Sequence, residues 1–142
     1  MAVFYFHILL CIAVTAMSWF MHVVHYPLTP FVNALRWNEY LDNRRRVTIM
    51  ITYPLMAFEA LTGFTLMLLA TQSPSYPYLA VSLALLVALL IFTFTYLNPQ
   101  LKKINGPEDA DGLARFMKLH TVRVLGWSAR LLLLILIILA AA

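Results

Sequence analysis

Histidine, arginine and glutamate stand in this chain where a hydrophobic run would ordinarily continue, and those residue types bound the chemistry available. His120, Arg123, Trp127 and Arg130 follow one another at spacings of three, four and three, so on a helix they form one stripe. The segment then runs on as LLLLILIILAAA. His22 and His25 stand three apart near the end of the first apolar run, and Glu59 lies deep in the second. Histidine can ligate iron or carry a proton, arginine can seat a carboxylate or phosphate, and a glutamate beside an arginine is either a clasp or a titrating group. An ionisable side chain inside a bilayer is costly without a partner, which marks it as a functional site by default.

As a zinc motif the His22/His25 spacing falls short, since zinc-binding helices favour i, i+4 and a closed site wants four ligands. Haem b is the cofactor that the arrangement brings forward. His22 or His25 from the first run and His120 from the last, at similar depth, would ligate iron from two sides. Arg45, with its neighbours Arg44 and Arg46, or Arg123 would receive the propionates. Trp127 shares the stripe and would cover a ring or a cation. The plain alternative is that these are interfacial or hydrogen-bonding histidines, with His120 merely at a helix start near water.

The elements that must position these residues are set by composition. Of 142 residues, 63% are hydrophobic and 11% charged, with a mean hydropathy of +0.83. Soluble domains carry roughly 45–50% apolar and about 25% charged residues. The expectation is a single all-α membrane domain over residues 1–142, with spans at about 3–25, 47–70, 78–98 and 117–141. Cys11 is alone, so neither a disulfide framework nor a cysteine metal cluster is available. The N-terminus MAVFYFHILL lacks a basic leader region and its apolar run is too long for a signal, so the first span is expected to remain. Pro54 is expected to kink the second span.

The net charge of +4 is explained by topology, not by nucleic acid. Eight of the ten Lys and Arg residues fall in the 28–46 and 99–118 connections, and the connection between spans two and three has none. The positive-inside rule therefore puts both basic connections in the cytoplasm and both termini on the non-cytoplasmic side of a bacterial cytoplasmic (inner) membrane.

Depth sharpens the pairing. Glu59 and Arg130 both lie about 12–13 residues from the basic side, at ~18–20 Å, and are the natural buried ion pair. His22, His25, His120 and Arg123 fall within the first turns on that side. In the first span His7, Cys11, Thr15, Ser18, His22 and His25 share one face, and that face should avoid lipid. His7 is expected at the outer interface, and the third span is expected to face lipid along much of its length.

The residues H-x-x-H-Y-P (His22 to Pro27), P-x-M-x-x-E (Pro54 to Glu59) and R-x-x-x-W-x-x-R (Arg123 to Arg130) resemble a family of small bacterial integral membrane proteins with four predicted spans. That resemblance implies the fold and brings no activity with it. The chain departs from the family pattern at Gln100, where a histidine is usual after Pro99, and at His120, where an Asn-Trp pair is usual. More distantly, His25, Arg46, Thr52, Pro54 and Met56 are similar in layout to HemJ-type protoporphyrinogen oxidases, which implies haem.

The functional expectation is a cytoplasm-facing His/Arg/Glu polar site for haem, another anionic ring or a quinone, in electron transfer or tetrapyrrole redox chemistry. The alternatives are a non-catalytic accessory subunit of a larger membrane complex and a small proton-coupled carrier using Glu59. The partners expected are the lipid bilayer and either further copies of the chain or that larger complex.

Overall fold

The computed structural model describes the backbone of residues 2–141 and the side chains of residues 2–139. Four long helices account for almost all of it: α1 Ala2–Phe31, α2 Ala34–Leu69, α3 Tyr76–Lys102 and α4 Ala110–Ala141. Each contains a stretch long and apolar enough to cross a membrane, and no strand occurs among the described residues. This is the architecture of an all-α, multi-pass membrane protein.

The helices close a ring in chain order. α1 packs against α2 and α4, and α3 packs against the same two. Short connections make neighbours antiparallel. One end of the bundle therefore carries both termini and residues 70–75, and the other, the basic end, carries residues 32–33 and 103–109. Packing is tight where side chains are small. A Cβ on Gly126 of α4 would fall 2.4 Å from Leu89 Cδ2 of α3, so that glycine lets the two backbones approach.

Two boundaries differ from the hydropathy pattern. The polar stretch Trp37–Val47 is helix, continuous with the second span, where a connection of 28–46 is expected. Its composition, WNEYLDNRRRV, has no Gly or Pro to stop a helix already running. α3 likewise continues through Asn98-Pro99 to Lys102.

Three of the helices carry a π-helical turn, at Met21–His25, Thr48–Thr52 and Thr93–Leu97. Each ends two residues before a proline: Pro27, Pro54 and Pro99. A proline inside a helix lacks an N–H, and its ring collides with the carbonyl four residues back. Those carbonyls belong to Val23, Met50 and Thr95, the central residues of the three π turns. Widening the turn relieves the collision. The amides of Tyr26, Tyr53 and Asn98 reach five residues back, to Met21, Thr48 and Thr93. All three wide turns lie toward the basic end, where they open the bundle.

Candidate functional site

Two polar regions occupy the interior, separated by an apolar layer. Toward the terminal end, the Arg130 guanidinium joins all four helices. Nη1 bonds the Glu59 carboxylate of α2 and lies 3.8 Å from Cys11 Sγ of α1. Nε donates to the Ser82 carbonyl of α3 at 3.2 Å, and Nη2 to His7 Nε2 of α1 at 2.9 Å. Arg130, Glu59 and Cys11 are fully buried, and His7 is 1% exposed. A guanidinium only donates, so His7 Nε2 must accept, and the ring proton sits on Nδ1, 2.8 Å from Thr62 Oγ1. Gly63 leaves room for this imidazole, since a Cβ there would come 3.1 Å from His7 Cε1.

This corrects one expectation. His7 is a buried member of the clasp, not an interfacial residue. α3 faces outward along much of its length, as expected, and reaches the core through one stripe that includes Ser82. Its buried positions Leu79, Ser82, Leu86, Leu89, Thr93 and Leu97 recur at helical spacing.

The apolar layer consists of Val14, Met56, Leu86, Leu89 and Trp127. Trp127 is fully buried in it, with the Arg130 guanidinium 5.5 Å from its ring centre. The tryptophan thus belongs to the clasp side of the partition and covers a cation of the protein itself. Glu59 and Arg130 do not join the histidines in one site.

Beyond that layer, His120 and His22 face each other across α4 and α1. Their rings are stacked at 10°, with centroids 5.4 Å apart and 3.2 Å between the two Nδ1 atoms. Arg123 Nη1 lies 3.5 Å from His120 Nε2. Since arginine donates, His120 accepts at Nε2, carries its proton on Nδ1 and donates it to His22 Nδ1. Tyr26 packs edge-on to His120 and accepts from Arg44, whose guanidinium lies 5.2 Å from the tyrosine ring centre. His25 is elsewhere: its Nε2 is 2.9 Å from the Tyr40 hydroxyl, and the two rings stack.

A cavity of about 40 Å³ lies beside these residues, lined from α1 (Met21, Tyr26), α2 (Arg44, Thr52), α3 (Thr93) and α4 (Arg123). Arg123 is 9% exposed and Thr93 3%. The Nε atoms of Arg44 and Arg123 and the Thr93 hydroxyl are buried and have no partner. The ion pairs among the described residues are Arg36–Glu39 and Arg130–Glu59, so neither chamber guanidinium has a carboxylate within 4 Å. A groove of about 500 Å³ between α2 and α3 shares Arg44, Thr48, Tyr53 and Asn98 with the chamber. Arg45 and Lys102 also line this groove, together with the exposed apolar side chains Ile49 and Phe94. Arg45 is thus a groove residue, and Arg44 is the member of the triplet that reaches the chamber. Sequence reasoning did not single out Thr93, Tyr26 or Met21.

Comparison with protein-family models, curated proteins and solved structures yields no match to this chain.

The histidine geometry can be tested against haem. Iron between two imidazoles separates the ligating nitrogens by two bonds of about 2.0 Å each, with a macrocycle standing between the rings. Here the rings lie nearly parallel and meet through their Nδ1 atoms at 3.2 Å. His25 is engaged with Tyr40. Bis-histidine haem ligation would require the two imidazoles to part, and among the described residues no three His, Cys, Asp or Glu side chains converge as a metal site.

Proposed function

We propose that the protein binds an amphiphile drawn from the bilayer. Its oxygen-bearing headgroup sits in the chamber, and its ring or chain lies in the groove between α2 and α3. The observation that carries this reading is the set of buried, unpartnered polar atoms on Arg44, Thr93 and Arg123 around one cavity. Leaving a buried donor unbonded costs about 1–3 kcal/mol, more for a charged group, and a ligand oxygen removes that cost. The groove's size falls within the ~300–1,000 Å³ usual for small-molecule sites. Its exposed Ile49 and Phe94 offer a lateral way in from lipid.

In this reading both basic connections are cytoplasmic, the membrane is the bacterial inner membrane, and a quinone-class ligand of electron transfer is one member of the ligand class. Proton-coupled carriage by Glu59 is less well supported. Its carboxylate is tied to Arg130, and the Trp127 layer separates it from His22, His25 and His120.

The test is native mass spectrometry of the protein extracted directly into lipid nanodiscs. Wild type is expected to retain a bound amphiphile that Thr93→Leu, which fills the chamber, loses. The same bulk lipids on both proteins would overturn the reading. A Soret band abolished by His120→Ala would overturn it in favour of haem.

A further inference from the structure

The chamber's charge narrows the ligand. We infer that the headgroup seated there is a compact oxyanion, a phosphate monoester on a single hydrocarbon chain, held as the missing counter-ion of Arg123 and Arg44. This rests on the amphiphile reading above.

Charge comes first. Arg123 is buried in a chamber that also receives Arg44, and no carboxylate pairs with either. An uncompensated guanidinium inside a bilayer is among the most costly arrangements a helix bundle can hold. A neutral quinone would satisfy hydrogen bonds and leave that charge standing. An anion answers both needs.

Size comes second. An apolar cavity of about 150 Å³ is what a benzene ring occupies. The chamber, at about 40 Å³, takes a few atoms and no ring. The 500 Å³ groove beside it can hold the chain.

The third point is the kind of group left over. Other hydroxyls around the cavity already have a partner. Ser18 donates to the Val14 carbonyl and Thr48 to that of Arg44, while Tyr26 accepts from Arg44 and Tyr53 from Asn98. The buried atoms left there with no partner at all are two guanidinium Nε atoms and one hydroxyl, from three different helices. A phosphate monoester has three terminal oxygens to meet three such groups and stays anionic. Charge-assisted bonds of this kind are roughly twice as strong as neutral ones. Arginine suits the role because its fork matches phosphate oxygens and its charge is not lost on burial. Arg44, Arg45 and Lys102 outnumber the one carboxylate of the groove lining, Asp42, and would draw the anion in.

The experiment uses the full chain in nanodiscs of a zwitterionic phospholipid, titrated with decyl phosphate, decanoate and a decyl-substituted neutral quinone. Binding is read from the phosphorus resonance of the probe and from the shift in unfolding temperature. Decyl phosphate should bind saturably and more tightly than the quinone. Arg123→Gln should weaken it by 10- to 100-fold, and Arg123→Lys, which keeps the charge and loses the fork, should weaken it less. Arg36→Gln, exposed and away from both cavities, should leave it unchanged. Saturable quinone binding that is indifferent to Arg123→Gln, with no phosphate binding, would overturn this inference and leave the amphiphile reading standing. Decanoate binding as tightly as decyl phosphate would overturn the phosphate assignment. Absence of saturable binding by all three would overturn both readings.

Discussion

Arg130 and Arg123 stand two turns apart on the same face of α4, and their surroundings are opposite. Arg130 has a carboxylate, a backbone carbonyl, an imidazole and a thiol around it, drawn from three other helices. Arg123 has one long contact to His120, an unpartnered Nε and a cavity in front of it. The first arrangement pairs its charge without any ligand, although Glu59 Oε2 and the Ser82 hydroxyl stay unbonded, and it uses that charge to fix how four helices meet. The second leaves its charge without a counter-charge, and an uncompensated buried charge is kept only where something else neutralises it. The same residue type on one helix therefore serves stability in one place and recognition in the other.

That contrast is broken most sharply at the clasp. Arg130→Met or Glu59→Gln alone should destabilise the protein by about 3–5 kcal/mol, because each strands a buried charge or its partner. The double variant should be far closer to wild type than the sum of the two. Denaturant unfolding in bicelles measures the coupling, and additive effects would show that the two are not partners. Arg123→Met should have the opposite sign: in ligand-free protein, stability is unchanged or raised, since the uncompensated charge is removed. A loss as large as that of Arg130→Met would erase the distinction between the two regions.

A smaller effect sharpens the same comparison inside the clasp. His7→Ala leaves Arg130 Nη2 without its acceptor and should cost about 1–3 kcal/mol. Thr62→Val should cost less, because the Thr62 hydroxyl also bonds its own helix at the Phe58 and Glu59 carbonyls. If Thr62→Val proves the more damaging, His7 is held by packing and not by its two bonds.

Much of this was legible in the chain. The four spans followed from hydropathy, and residue spacing put His7, Cys11, Thr15 and Ser18 on one inward face. Residue counts along separate helices also matched Glu59 to Arg130. What such counts could not supply was the slide of one helix past another, because that is fixed by packing. His7 therefore read as interfacial although it meets Arg130. The histidines and the ion pair read as parts of one site although Trp127 and Leu86 lie between them. The three prolines announced three local breaks, and only the folded register brings the resulting π turns together around a chamber. Thr93 was hidden for a related reason: of two threonines in an apolar helix, Thr93 and Thr95, only the folded structure shows which one stands opposite the arginine.

The smallest predicted effect tests whether burial is what gives these charges their weight. Asp109 lies at the start of α4, outside the apolar stretch. Its Oδ1 accepts from the Gly112 amide at 2.9 Å and its Oδ2 from the Asn105 amide at 3.1 Å. These backbone bonds, that of Gly112 foremost, hold its carboxyl below the ordinary value of 3.8. A lowered folded-state value means that the ionised form is favoured by folding. Its contribution is complete above the ordinary carboxylate range and fades as pH falls through the folded value. Asp109→Ala should therefore lower the unfolding temperature slightly near neutral pH, and the difference from wild type should shrink toward zero on acidification. Because water and salt screen this charge, the loss should be much smaller than that of Glu59→Gln. An equal loss would mean that removal from water is not what separates the buried clasp from an ordinary helix cap.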